Sequence, residues 1–97
     1  MMTFETIINQ VAEFYGIDND DLLGGCRREI FCDARHVAMY LCRRLLGMRK
    51  DAIGASFGKS RYIVDYASRK VSEYLAEPRY NRRAAECVKT ILNNEKK

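Results

Sequence analysis

Proline occurs once, at Pro78, and glycine only six times in 97 residues, so little interrupts the chain's apolar periodicity. Strand-like alternation is scarce, whereas apolar residues recur at helical spacing almost throughout, which predicts an all-α fold. Long hydrophobic runs are missing as well. The longest stretches, such as "HVAMYLC", are cut by arginine, far short of the roughly 20 apolar residues of a membrane span. The opening "MMTFETIINQ" has no basic n-region, so no signal peptide and no membrane association are expected, and the cytoplasm is the expected compartment. Hydrophobic residues make up 47% and charged residues 31%, a balance that excludes disorder and suits one small globular domain.

Catalytic and metal-binding chemistry is equally thin. His36 is the sole histidine and lies on a predicted helix, where it lacks partners for general-base or metal work. Cys26, Cys32, Cys42 and Cys87 show no CxxC spacing, so reduced, structural thiols are expected. The nearest approach to a phosphate-binding loop, "GASFGKS", has three residues between its glycines, where GxxxxGK[ST] needs four. A non-enzyme without metal or cofactor is expected.

Charge is what the chain does have, and it is segregated. Residues 1–25 carry five acids (Glu5, Glu13, Asp18, Asp20, Asp21) and no lysine or arginine, while the rest carries seventeen bases and eight acids. An acidic opening and a basic body suit a protein of which one surface meets a polyanion.

Periodicity predicts five or six helices. A first helix from about Phe4 to Tyr15 has Phe4, Ile7, Ile8, Val11, Ala12 and Tyr15 on one face and ends at Gly16. "GIDNDDLLGG" reads as a short second helix, with Asp18 as N-cap, Ile17 stapled on Leu22, and Gly24 and Gly25 as the stop. "CRREIFC" is expected as a connector, after which Asp33 caps a third helix from Ala34 to Leu46, closed by Gly47. Next come a short helix of about Lys50 to Phe57, with Ala52, Ile53 and Phe57 inward, a turn at Gly58 and Lys59, and a long helix capped by Ser60. Helix, glycine-containing turn and helix make a helix-turn-helix. Gly54 inside the short helix costs up to about 1 kcal/mol against alanine, so a close crossing is expected there. A last helix runs from about Asn81 to Leu92, after the Glu77–Pro78 step.

On a helical wheel, Ile63, Val64, Ala67, Val71, Tyr74 and Leu75 share one stripe of the long helix, and Tyr62, Asp65, Tyr66, Arg69 and Glu73 oppose it. Recognition helices read base edges with their N-terminal residues, which nominates Arg61, Tyr62 and Asp65. Lys59 and Ser60 stand where backbone amides meet phosphate. Arg61 occupies a helix start, where a positive charge is disfavoured locally.

"LLGGCRREIFCDARHVAMYLCRRL", from Leu22 to Leu45, together with "DAIGASFGKSRYIVDYASRKV", resembles the C-terminal DNA-binding domain of the bacterial replication initiator DnaA. The resemblance covers about Thr3 to Leu75 and implies a tryptophan-repressor-like helical fold that binds double-stranded DNA. It implies that Arg27 enters the minor groove and that Arg35 and Arg43 contact phosphate. The family's Asp-His-Thr-Thr-Val signature is replaced here by Ser60-Arg61-Tyr62-Ile63-Val64, after a turn one residue shorter.

Two readings stand at this point. One is a non-enzymatic double-stranded DNA binder, with a regulatory, replication-accessory or mobile-element role and a protein partner or homodimer to extend its short site. The other is a helical protein-interaction module derived from a DNA-binding ancestor, favoured by Tyr62, Tyr66 and Tyr80. RNA recognition has no RNP or GXXG motif behind it.

Overall fold

The computed structural model describes residues 2–25 and 27–95. It is all-α: α1 (Phe4–Tyr15), α2 (Asn19–Leu23), α3 (Glu29–Leu46), α4 (Lys50–Ser56), α5 (Arg61–Ala76), a 3-10 turn (Pro78–Tyr80) and α6 (Arg82–Glu95). α3 is the central post against which every other α-helix packs. Its Ala34, Val37, Ala38, Met39, Leu41 and Cys42 are buried in a core shared with α1, α5 and α6.

α1 has the expected bounds and face; Thr3 caps it, its hydroxyl accepting from the Thr6 amide at 3.1 Å. Gly16 ends it at φ 68°, a left-handed conformation that a β-carbon disfavours. α2 starts after Asp18, but the Asp18 carboxylate makes no capping bond. Ile17 packs at the core's edge and Leu22 inside it.

α3 differs from expectation. "REIFC" is its first turn rather than a connector, with the Phe31 and Cys32 amides already bonded to the Arg28 carbonyl. No glycine or proline interrupts residues 27–46, so nothing stops the helix from starting early. Asp33 therefore sits inside the helix and caps nothing. Its carboxylate accepts from the Tyr15 hydroxyl at 2.8 Å and from Asn81 Nδ2 at 2.7 Å. Asn81 Oδ1 in turn accepts from the Ala84 amide at 3.0 Å, the N-cap bond of α6. Asp33 thus joins α1, α3 and the start of α6.

In α4, Ile53 and Phe57 are buried as expected, but Ala52 is exposed and Gly54 takes the inward place. α5 begins after Ser60, which also makes no side-chain cap bond. α6 extends to Glu95 and buries Ala84, Ala85, Cys87, Val88 and Ile91. No helix among the described residues is long and apolar enough to cross a membrane.

Candidate nucleic-acid interface

The junction of α4 and α5 is built around Gly54. A β-carbon there would stand 2.8 Å from the Lys59 carbonyl oxygen and 2.9 Å from the Ser60 carbonyl carbon, both backbone atoms. The missing side chain lets the turn fold back on α4, and the Lys59 amide donates to the Gly54 carbonyl at 2.8 Å. Gly58 completes the reversal at φ 66°. Phe57 plugs beneath it, edge-on to Phe4 with ring centroids 6.1 Å apart.

That turn sets the direction of α5. Val64, Ala67 and Val71 are buried, and Ile63, Tyr74 and Leu75 pack at the core's edge. Tyr62, Asp65, Tyr66, Arg69 and Glu73 face outward, all exposed. Tyr62 is 68% exposed, far above the usual state of a tyrosine in a domain this small. The Arg61 guanidinium lies 5.2 Å from the Tyr62 ring centroid, and Arg69 lies 5.8 Å from that of Tyr66. Such cation–π pairs hold long side chains ready at modest entropic cost.

Arg61, Tyr62 and Asp65 share a cleft of about 400 Å³ with Arg43, Arg49, Lys50 and Asp51. Arg43 reaches it from the last turn of α3, its Nη1 donating to the Met48 carbonyl at 2.7 Å. Lys50 Nζ stands 2.7 Å from Asp65 Oδ1, and Arg49 Nε stands 3.4 Å from Asp51 Oδ1. Four bases and two acids leave the cleft basic, and its acids are occupied by internal ion pairs. Arg49 and Lys50 were not among the residues expected from sequence. The signal was there in "MRKD": two successive bases at a helix start, where the dipole disfavours them.

Lys59 lies in a second, smaller hollow of about 100 Å³ with Cys32, Arg35, His36, Met39 and Ile63. His36 is half-buried and meets Tyr66 edge-on, with centroids 5.5 Å apart. Burial holds its pKa below the ordinary histidine value; the Asp33 carboxylate opposes that and Arg35 and Lys70 add to it. Arg27 is exposed in the loop ahead of α3, outside both hollows. Ser60 is exposed at the turn.

Arg35 stands apart from the other candidates. It is 3% exposed, its Nε donates to the Leu22 carbonyl at 2.8 Å, and its Nη2 donates to that of Asp21 at 3.2 Å. The last carbonyls of α2 thereby gain charge-assisted partners. Its guanidinium is bound to these carbonyls, whereas that of Arg43 on the same helix is exposed.

Cys42 and Cys87 are buried, and burial pushes both thiols up to about 12. No cluster of three His, Cys, Asp or Glu able to hold a metal occurs among the described residues. Cys26, named above with the other thiols, lies outside them.

The family model for the bacterial DnaA protein helix-turn-helix matches residues 4–71. The chromosomal replication initiator protein DnaA of Cutibacterium acnes is 42% identical over 79 residues, covering 80% of this chain and 16% of that protein. Its counterpart in Leifsonia xyli subsp. xyli is 38% identical over 93 residues, covering 93% and 20%. The Corynebacterium jeikeium protein is 39% identical over 72 residues, covering 73% and 12%. The chain thus spans a fifth or less of the length of these curated relatives.

Proposed function

The chain belongs to the bacterial DnaA helix-turn-helix family, and from that premise we propose that it binds double-stranded DNA without catalysing a reaction. The N-terminal half of α5 enters the major groove. The observation that carries this reading is the cleft in which Arg61 and Tyr62 of α5 stand beside Arg43, Arg49 and Lys50. It combines a base-reading group with phosphate-neutralising ones.

Arg61 is the base reader. Its guanidinium can donate two hydrogen bonds to guanine O6 and N7 from the first turn of a groove-bound helix. Tyr62, Tyr66 and Arg69 line the groove walls, and Asp65 faces the bases while paired with Lys50. Arg43, Arg49, Lys50, Lys59 and Ser60 take phosphates, and Arg27 reaches the flanking minor groove. The role within a cell is regulatory, replication-accessory or carried by a mobile element, and the Arg-Tyr-Ile sequence at the reading position directs the domain to a site of its own.

Selection of bound duplexes from a random-sequence library, with wild type and Arg61→Ala in parallel, tests the reading. An enriched motif that blurs in the variant is the expected result. Absence of both enrichment and salt-sensitive duplex binding sinks it, and favours the protein-interaction reading that the exposed Tyr62, Tyr66 and Tyr80 support.

A further inference from the structure

The dipeptide Arg-Tyr occurs twice, at Arg61-Tyr62, which opens α5, and at Arg79-Tyr80, just after its end. The two pairs have the same build. In each, the guanidinium sits 5.2 Å from the neighbouring ring centroid, and its Nη2 reaches toward the phenol oxygen at 3.4 and 3.5 Å. Tyr62 is 68% exposed and Tyr80 65%. The first pair belongs to the proposed reading surface. The second lies beyond the residues matched by the family model, which end at 71.

Both pairs stand beside α3. Glu29, His36 and Arg43 recur at seven-residue intervals on α3, so they lie within about 40° of one another around its axis. Arg43 lines the cleft of Arg61 and Tyr62, and His36 touches Tyr66. Glu29 lines a third cleft, of about 390 Å³, with Ile30, Asp33, Tyr80, Asn81 and Arg83. From Ile30 to Arg43 the helix rises roughly 20 Å, which is about six base pairs of duplex.

Arg83 lines this third cleft; Arg79 and Arg82 are exposed and flank its lining residues Tyr80, Asn81 and Arg83 in sequence, and the exposed Arg27 and Arg28 precede Glu29. The cleft's lining carries two acids, Glu29 and Asp33, to one base, Arg83, and both Asp33 and the nearby Glu77 are engaged. Asp33 is held by Tyr15 and Asn81, and Glu77 Oε2 lies 3.5 Å from Arg79 Nε. Glu29 remains, and Glu86 follows one turn along α6. Arg82 and Arg83 open α6 with no acid in its first turn, against the preference of the helix dipole; Arg83 lies over the Tyr15 ring, whereas Arg82 is exposed.

We infer that "RYNRR", Arg79 to Arg83, forms a second duplex-contacting surface that grips backbone phosphates about six base pairs from the site read by Arg61. The inference rests on the DNA-binding reading of α5. Tyr80 holds Arg79 extended toward the duplex, and Arg82 and Arg83 neutralise phosphates without reading bases.

The experiment compares wild type, Arg79→Ala/Arg82→Ala, the triple variant adding Arg83→Ala, and the triple Arg→Lys variant on a 24-base-pair duplex across a salt series. Circular dichroism controls for folding; the double variant matters because Arg83 also lies over the Tyr15 ring at 5.8 Å. The expected result is a loss of about tenfold for the triple variant, a salt slope shallower by about two, and unchanged sequence preference. The double variant should fall between, and Arg→Lys should restore the slope. Equal affinity and slope in wild type and both alanine variants overturn the inference while leaving the reading of α5 intact. Failure of Arg→Lys to restore the slope overturns it too, since point charges suffice for phosphates. If wild type binds no duplex, the DNA-binding reading fails first and takes this one with it.

Discussion

A guanidinium buried against backbone carbonyls does different work from one in solvent, and α3 carries both kinds. Arg35 ties the end of α2 to α3 through the Asp21 and Leu22 carbonyls. Arg35→Ala should cost about 2 kcal/mol or more in urea denaturation, because buried acceptors lose charged donors. Arg35→Lys should recover little, since an ammonium cannot reproduce the fork. Arg43 is exposed, so Arg43→Ala should leave stability nearly unchanged and weaken binding to all duplexes alike in a salt titration. Gly54 shows the opposite logic. Alanine is the better helix former, yet Gly54→Ala drives a β-carbon to within 2.8 Å of the Lys59 carbonyl oxygen. It should therefore destabilise the protein by about 1–3 kcal/mol.

Between α4 and α5, the Lys50–Asp65 pair spans the turn that Gly54 permits. Both side chains are close to half-exposed, so the pair adds little stability once solvent screening is counted. Its consequence is for binding. Asp65→Asn frees Lys50 and removes a carboxylate from the outward side of α5. Duplex affinity should rise several-fold at low salt with an unfolding midpoint almost unmoved. Asp33 works at a longer reach, joining α1 to the capped start of α6. Tyr15→Phe leaves its carboxylate with Asn81 alone and should cost about 1–3 kcal/mol, read from thermal unfolding.

The whole molecule segregates charge: residues 1–25 carry only acids, and the basic groups gather about α3, α4, α5 and the start of α6. If the four cations Arg43, Arg49, Lys50 and Lys59 each neutralise a phosphate, log affinity should fall with log salt at a slope near −3 to −4, steeper by about two where Arg79, Arg82 and Arg83 also engage. The same core that orients these elements makes the fold sensitive to alkali. Burial, aided by the Asp33 carboxylate, raises the Tyr15 pKa above its ordinary value, and burial pushes the Cys42 and Cys87 thiols from 9.0 to about 12. A pKa raised on folding means that the folded state keeps protons that the unfolded state releases. Stability from these groups is complete below about pH 9 and is lost as pH rises through the interval to about 12. The urea midpoint should therefore hold level from pH 7 to 8.5 and fall steadily above pH 9; a flat profile to pH 11 would contradict the burial of these groups.

Helix count, the inward stripes of α1 and α5, the glycine-ended helices and the outward Tyr62–Asp65–Tyr66–Arg69 face were all legible in the sequence. Each depends on spacing within one helix, and spacing is local. The start of α3 was not, because a capping aspartate and an aspartate bonded to distant Tyr15 and Asn81 are the same letter; only packing chooses between them. The same holds for Arg35 and Arg43, two arginines on one helix of which packing buries one. Arg49 and Lys50 joined the cleft of Arg61 and Tyr62 because the turn folds back over Gly54. Periodicity and charge order determined which helices form and which faces they bury. Tertiary structure decided which charges meet, because that depends on long-range approach of backbones that no local pattern encodes.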